Sequence, residues 1–189
     1  SMQPDPELAS IARESRDRLK QEEDLRRIRQ RLAPVETLMR ETRAYFYAPA
    51  ADIRAKLARV DAALRELEGE DHPEVWRTVG IGRYLLGEAS AEQALLRGDR
   101  RGSYYLGRIY LERAIGELLH HDRGTGVRRR ERSKAWSKEA LSRLREAVDV
   151  WDGTEMERQV AESMIALADG REEDVLRLTD EALRRFGGE

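Results

Sequence analysis

The chain reads as an all-α protein, an array of about eight antiparallel helices that begins with a long charged helix. Three observations predict this class. Apolar residues recur at spacings of three and four, as in Leu25, Ile28, Leu32, Val35 and Met39. Charged residues make up 38% of the 189 residues and aromatics only 6%, so apolar positions must form narrow stripes between salt-bridged outer faces, as thin helical layers require. From Pro73 onward glycine and alanine recur inside the helical pattern, where a glycine costs roughly 1 kcal/mol and is kept when a neighbouring helix comes close.

Pro4 and Pro6 suit a helix start, and the following forty residues carry charges at most positions. The stripe from Leu25 to Met39 has heptad spacing, and Phe46 continues it. Upstream the same register lands on Ser15, Arg18 and Glu22, and Pro34 is expected to kink or break the helix. The stripe therefore serves either packing within the chain, the favoured reading, or a homodimer seam through Leu25, Ile28, Leu32, Val35 and Met39. Tyr45, Phe46 and Tyr47 are read as core filler at a helix junction. Pro49 opens the next helix, whose Ile53, Leu57, Val60, Leu64 and Leu67 mark one face until Gly69. These elements, residues 1–70, are expected to form one region.

Residues 71–189 form the second. Trp76, Gly80, Leu86 and Gly87 belong to one helix, and Ala91, Ala94 and Leu95 to the next, ended by Gly98-Asp99. A helix from Ser103 to His121 carries Leu106, Gly107, Tyr110 and Ala114 and runs into a glycine-flanked basic loop, Arg123 to Arg130, within a basic stretch that reaches Lys134. A helix from about Ser133 to Trp151 follows. The last pair, Thr154 to Ala168 and Glu172 to Phe186, is joined by an Asp169-Gly170 turn.

Lys plus Arg total 35 against 37 Asp plus Glu, a net charge of -2 that gives no global bias toward nucleic acid or anionic lipid. The absence of cysteine excludes disulfides, thiolate metal sites and cysteine nucleophiles. Apolar runs fall far short of the ~20 residues that span a bilayer, so a cytoplasmic location is expected. Ser1-Met2 reads as an expression remnant. Glu117 and His120 have the Glu-x-x-His spacing of di-iron helical sites, but no second such pair exists, so no metal or other cofactor is expected. No Gly-x-Ser-x-Gly elbow, phosphate loop or dinucleotide fingerprint occurs, and no enzyme is expected. Arg128, Arg129 and Arg130 in the basic loop are candidates for gripping an acidic or phosphorylated protein; interleaved aromatics for stacking bases are missing, which disfavours nucleic acid.

The residues from about 70 onward resemble the tetratricopeptide repeat, whose units of roughly 34 residues run aromatic, Leu-Gly, Tyr, turn Gly, then two alanines. Trp76, Val79-Gly80 and Gly87 match one unit, Leu106-Gly107, Tyr110 and Ala114 a second, and Gly170, Val175 and Ala182 a third. Spacing departs from the pattern: Ser103 lies 27 residues after Trp76, and Gln159 lies 56 after Ser103. The resemblance implies a right-handed solenoid in which the first helix of each unit lines a groove. It places Arg77 and Ile81, Tyr104 and Arg108, and Val160 and Met164 inward as partner-binding residues. The order Tyr105-Leu106-Gly107-Arg108-Ile109-Tyr110, Arg128 to Arg132, Glu139-Ala140-Leu141, Glu162 to Leu167 and Asp180 to Leu183 is also similar to helical-repeat regions C-terminal to the catalytic domain of bacterial eukaryotic-type serine/threonine kinases. That similarity implies a non-catalytic piece of a longer signalling protein, one that recruits a protein or peptide.

Overall fold

A computed structural model describes residues 6–44, 50–119, 126–151 and 155–186. These residues form eight α-helices and one 3-10 turn, with no strand among them. The chain divides into two compact units, Ser1–Glu70 and Asp71–Glu189.

The first unit holds α1, Pro6–Ala44, and α2, Ala50–Arg65. The heptad stripe supplies its core: Ile28, Leu32, Val35 and Met39 are 1–6% exposed, and Val60, Leu64 and Leu67 of the second helix and its following turn are buried as well. Arg27 and Arg31 of α1 reach Glu70 at 3.1 and 2.5 Å, and Arg31 also donates to the Glu66 carbonyl. The homodimer seam expected along Leu25 to Met39 is thus taken up inside the chain, with only Leu25 partly accessible.

Pro34 does not break α1, which runs through it. Proline removes one hydrogen bond to the carbonyl four residues back, here Gln30. Both Pro34 and Gln30 lie on the exposed side, where water replaces the missing donor, while Leu32 and Val35 anchor the helix on either side. The aromatic triplet Tyr45 to Tyr47 and Pro49 lie outside the described residues.

The second unit begins with α3, Pro73–Leu85, capped by His72, whose side chain accepts from the Glu74 amide, and with proline in its first turn. Gly87, at φ +73, turns the chain into α4, Ala91–Arg97. Asp99 then caps the 3-10 turn Arg100–Gly102 by accepting from the Arg101 amide, and α5, Ser103–Leu119, follows. Next come α6, Gly126–Asp149, α7, Glu155–Ala168, and α8, Glu172–Phe186. Between the last two, the Arg171 amide donates to the Ala166 carbonyl around Gly170 at φ +70, a glycine-stopped helix end.

Helices pair in sequence: α3 with α4, α5 with α6, α7 with α8, and α4 with α5 and α6 with α7 between those pairs. Two glycines set the closest approaches. A Cβ on Gly80 would stand 2.6 Å from Leu95 Cγ, and one on Gly107 2.8 Å from Leu144 Cγ. The shared core contains Leu95, Tyr104, Tyr105, Leu106, Tyr110, Ala140, Leu144, Ala147, Ala161 and Ile165, contributed by four helices.

Candidate functional site

Along α5 the spacing of polar and aromatic residues aims side chains at both α3 and α7. Tyr105 meets Tyr84 of α3 edge-on at 5.4 Å, and its hydroxyl lies 3.4 Å from the Glu157 carboxylate of α7. Tyr104 stands edge-on to Tyr105 at 5.2 Å and to Trp151 at 5.5 Å, so four aromatic rings form one edge-to-face chain. Tyr84 donates to Glu112 at 2.8 Å, and burial, reinforced by that bond, pushes its phenol well above the ordinary range. Arg108 donates to the Tyr104 hydroxyl at 2.9 Å, one turn back along α5.

The residues expected to face a groove divide among three settings. Arg108, Ile81, Val160 and Met164 are partly exposed, with Ile81 and Met164 packed on the core. Tyr104 is 5% exposed and is itself part of that core. Arg77 does not face a groove at all. It is 6% exposed and donates to Asp99 at 2.5 Å, within a network in which Arg101 joins Asp99 at 2.9 Å and the buried Glu74 at 3.3 Å. A register error is the physical reason: the glycines at 98 and 102 let the turn before α5 close over α3 at Arg77, so that side points inward to the protein.

The basic stretch also differs from expectation. It is not a loop from Arg128 on, because α6 begins at Gly126 and carries Arg128, Arg129 and Arg130 in its first turns. Arg128 and Arg130 are exposed and Arg129 partly so. Ser133 fixes this end by donating to the Ala114 carbonyl at 2.8 Å, and Arg132 joins Glu117 at 3.0 Å. Arg123, His120 and His121 lie outside the described residues. Among the described residues no group of three or more His, Asp or Glu is placed to hold a metal ion, and no helix is long and apolar enough to cross a membrane.

Sequence reasoning missed Tyr84, Glu112, Tyr105, Glu157 and Trp151 as members of this arrangement. The adjacent pair Tyr104-Tyr105 at the start of α5 was the available signal, since adjacent helical positions point about 100° apart and so reach two different neighbours. On the opposite side of α5, Arg113 lies over Trp136 at 5.0 Å and joins Glu92 of α4, while Tyr110 stacks on Trp136 at 5.4 Å. A separate cavity of about 470 Å³ opens among α6, α7 and α8, with Val148, Ile165 and Leu178 as apolar lining and Arg145, Arg171 and Arg177 among its charged residues.

Comparison with protein-family models, curated proteins and solved structures finds no match to this chain. The class that the fold defines is an all-helical protein whose second unit is built of consecutive helix pairs.

Proposed function

We propose that this chain is a non-catalytic protein-interaction module, in which residues 71–189 form a tetratricopeptide-like array that receives a protein or peptide along α3, α5 and α7. The observation that carries the reading is the bridging of these three first helices by Tyr84–Tyr105, Tyr84–Glu112 and Tyr105–Glu157. First helices side by side are what a groove-forming repeat array requires. Arg108, Glu112, Ile81 and Met164 then offer a cation, an anion and apolar surface within one strip, a mixture suited to peptide recognition. The narrower role, recruitment or regulation within a cytoplasmic bacterial signalling kinase, rests on the sequence resemblance alone and belongs to the same proposal.

Selection of a displayed peptide library on the immobilised chain, followed by calorimetry with the chosen peptides, tests the reading. Binding that weakens at least about tenfold in Arg108→Glu and in Tyr84→Ala supports it. Failure to enrich any sequence, or equal binding by both variants, overturns it. A structural role as a coiled-coil oligomeriser is the rival, and it is weakened because Ile28, Leu32, Val35 and Met39 are already buried in the single chain.

A further inference from the structure

The last described helix, α8, is sharply amphipathic, yet it leaves two leucines in solvent. Leu176 is 69% and Leu183 63% exposed, and they lie seven residues apart on one face. A third, Leu167, is 64% exposed near the turn that joins α7 to α8. Leu178, on the other side of α8, is buried, so the Leu176–Leu183 stripe is a second apolar face with no covering element among the described residues.

The charges beside this stripe identify what would cover it. Several charged residues of α8 are paired: Asp174 with Arg171 of its cap, Arg177 with Asp174 and Glu181, and Arg185 with Glu155 of α7. Glu172 and Glu173 at one end and Arg184 at the other have no ion pair among the described residues. At about 100° per residue, Glu173 and Arg184 fall on the same flank of the leucine stripe, roughly 60° and 80° from Leu176. In an antiparallel helix pair, residues on the same flank of the two helices are neighbours. Pairing Leu176 with Leu183 of a second copy places the two-fold axis between residues 179 and 180, and pairing Glu173 with Arg184 places it about one residue away. Two independent requirements, apolar and ionic, thus share one axis to within about 1.5 Å along the helix. A parallel two-fold pairing would put the flanks carrying Glu173 and Arg184 on opposite sides of the seam and leave them without each other.

We infer that the outer face of α8 is a self-association surface that takes the α8 of a second copy of this chain, antiparallel and isologous. It is separate from the groove of α3, α5 and α7 and does not depend on it. One helix pair buries less than the roughly 1,200 Å² of a standard stable interface, so the dimer is weak and concentration-dependent. Asp180 lies near the axis on the same flank as its own copy and opposes the association.

Sedimentation velocity over a concentration series extending to the high micromolar range tests this, with far-UV circular dichroism confirming that each surface variant folds. The full chain shifts from monomer toward dimer, Leu176→Glu/Leu183→Glu remains monomeric, and Asp180→Asn dimerises more tightly. Glu173→Arg and Arg184→Glu each weaken dimerisation about tenfold when alone. Mixed in equal amounts, those two variants recover association, because the mixed pair brings two arginines against two glutamates. A chain that stays monomeric throughout overturns the inference. So does a dimer unaffected by the leucine substitutions, or a mixture no stronger than its parts.

Discussion

Arg77 and Asp99 form an enclosed ion pair in the second unit, 2.5 Å apart with the arginine side chain 7% exposed. The pair exists because Gly98 comes so near that a Cβ there would stand 2.8 Å from the Arg77 nitrogen. An arginine that reads from the sequence as a binding residue is therefore a strut between α3 and the turn that launches α5.

Removing that strut takes one partner from the Asp99 carboxylate, whose side chain is 24% exposed, and empties the enclosed space that the arginine fills. Arg77→Ala is expected to destabilise the unit by about 2–4 kcal/mol, whereas Arg108→Ala, whose acceptor is a phenol at a partly open site, costs about 1 kcal/mol or less. Urea unfolding of the two variants checks the contrast. Equal losses would contradict it.

Two glycines of α5 predict opposite outcomes for the same substitution. At Gly116 a Cβ meets nothing within 4 Å, so Gly116→Ala gains helix propensity, about 0.5–1 kcal/mol. At Gly107 the new methyl would meet Leu144 at 2.8 Å and the Ala140 carbonyl at 3.2 Å. Overpacking outweighs propensity there, and Gly107→Ala is expected to destabilise by about 1–2 kcal/mol. Thermal melts separate the two variants by sign.

Glu92 gives a pH dependence with a definite direction. The hydrogen-bonded Arg113 guanidinium holds the Glu92 carboxyl below its ordinary 4.5, against the opposing pull of burial. A folded-state value below the unfolded one contributes stability above about pH 4.5, and the contribution disappears as pH falls through the depressed value. Because both groups are partly solvated, with side chains 22% and 38% exposed, the increment is expected to stay below about 1 kcal/mol. Stability of Glu92→Gln measured against pH should accordingly lie below that of the natural chain at neutral pH, with the gap closing in acid.

Pro34 sits exposed in a continuous helix whose neighbours Leu32 and Val35 are buried. Pro34→Ala restores the missing backbone hydrogen bond and is expected to stabilise the first unit by about 1–3 kcal/mol. Denaturant unfolding followed by helical circular dichroism is the check. A loss of stability would mean that the proline relieves strain elsewhere in α1.

Helix positions were legible where a stop signal coincided with the end of an apolar stripe. Gly98 and Gly170 each marked a boundary that the structure keeps, whereas Gly87, read as part of a helix, lies in the turn after α3. The start of α6 was illegible for the complementary reason: its first turn has no acidic residue, and arginines there oppose the helix dipole. Tertiary contacts override that cost, through Ser133 on the Ala114 carbonyl and Arg132 on Glu117. The burial of Leu32 and Met39 could be read from their period, but whether the covering surface came from α2 or another copy could not, since both satisfy the same pattern. Arg77 was misplaced because local register does not encode which side of a helix a following glycine-rich turn will close upon.

Because Arg128, Arg129 and Arg130 ride on a helix, they fan out around its circumference and cannot act as three fingers of one hand. A flat acidic surface approaching α6 would touch one of them and leave the others pointing past it. What continues along a single edge is Arg130, Lys134 and Lys138, each exposed and one turn from the next. The density of positive letters in the sequence is thus converted by the helix into a narrow rail about 12 Å long.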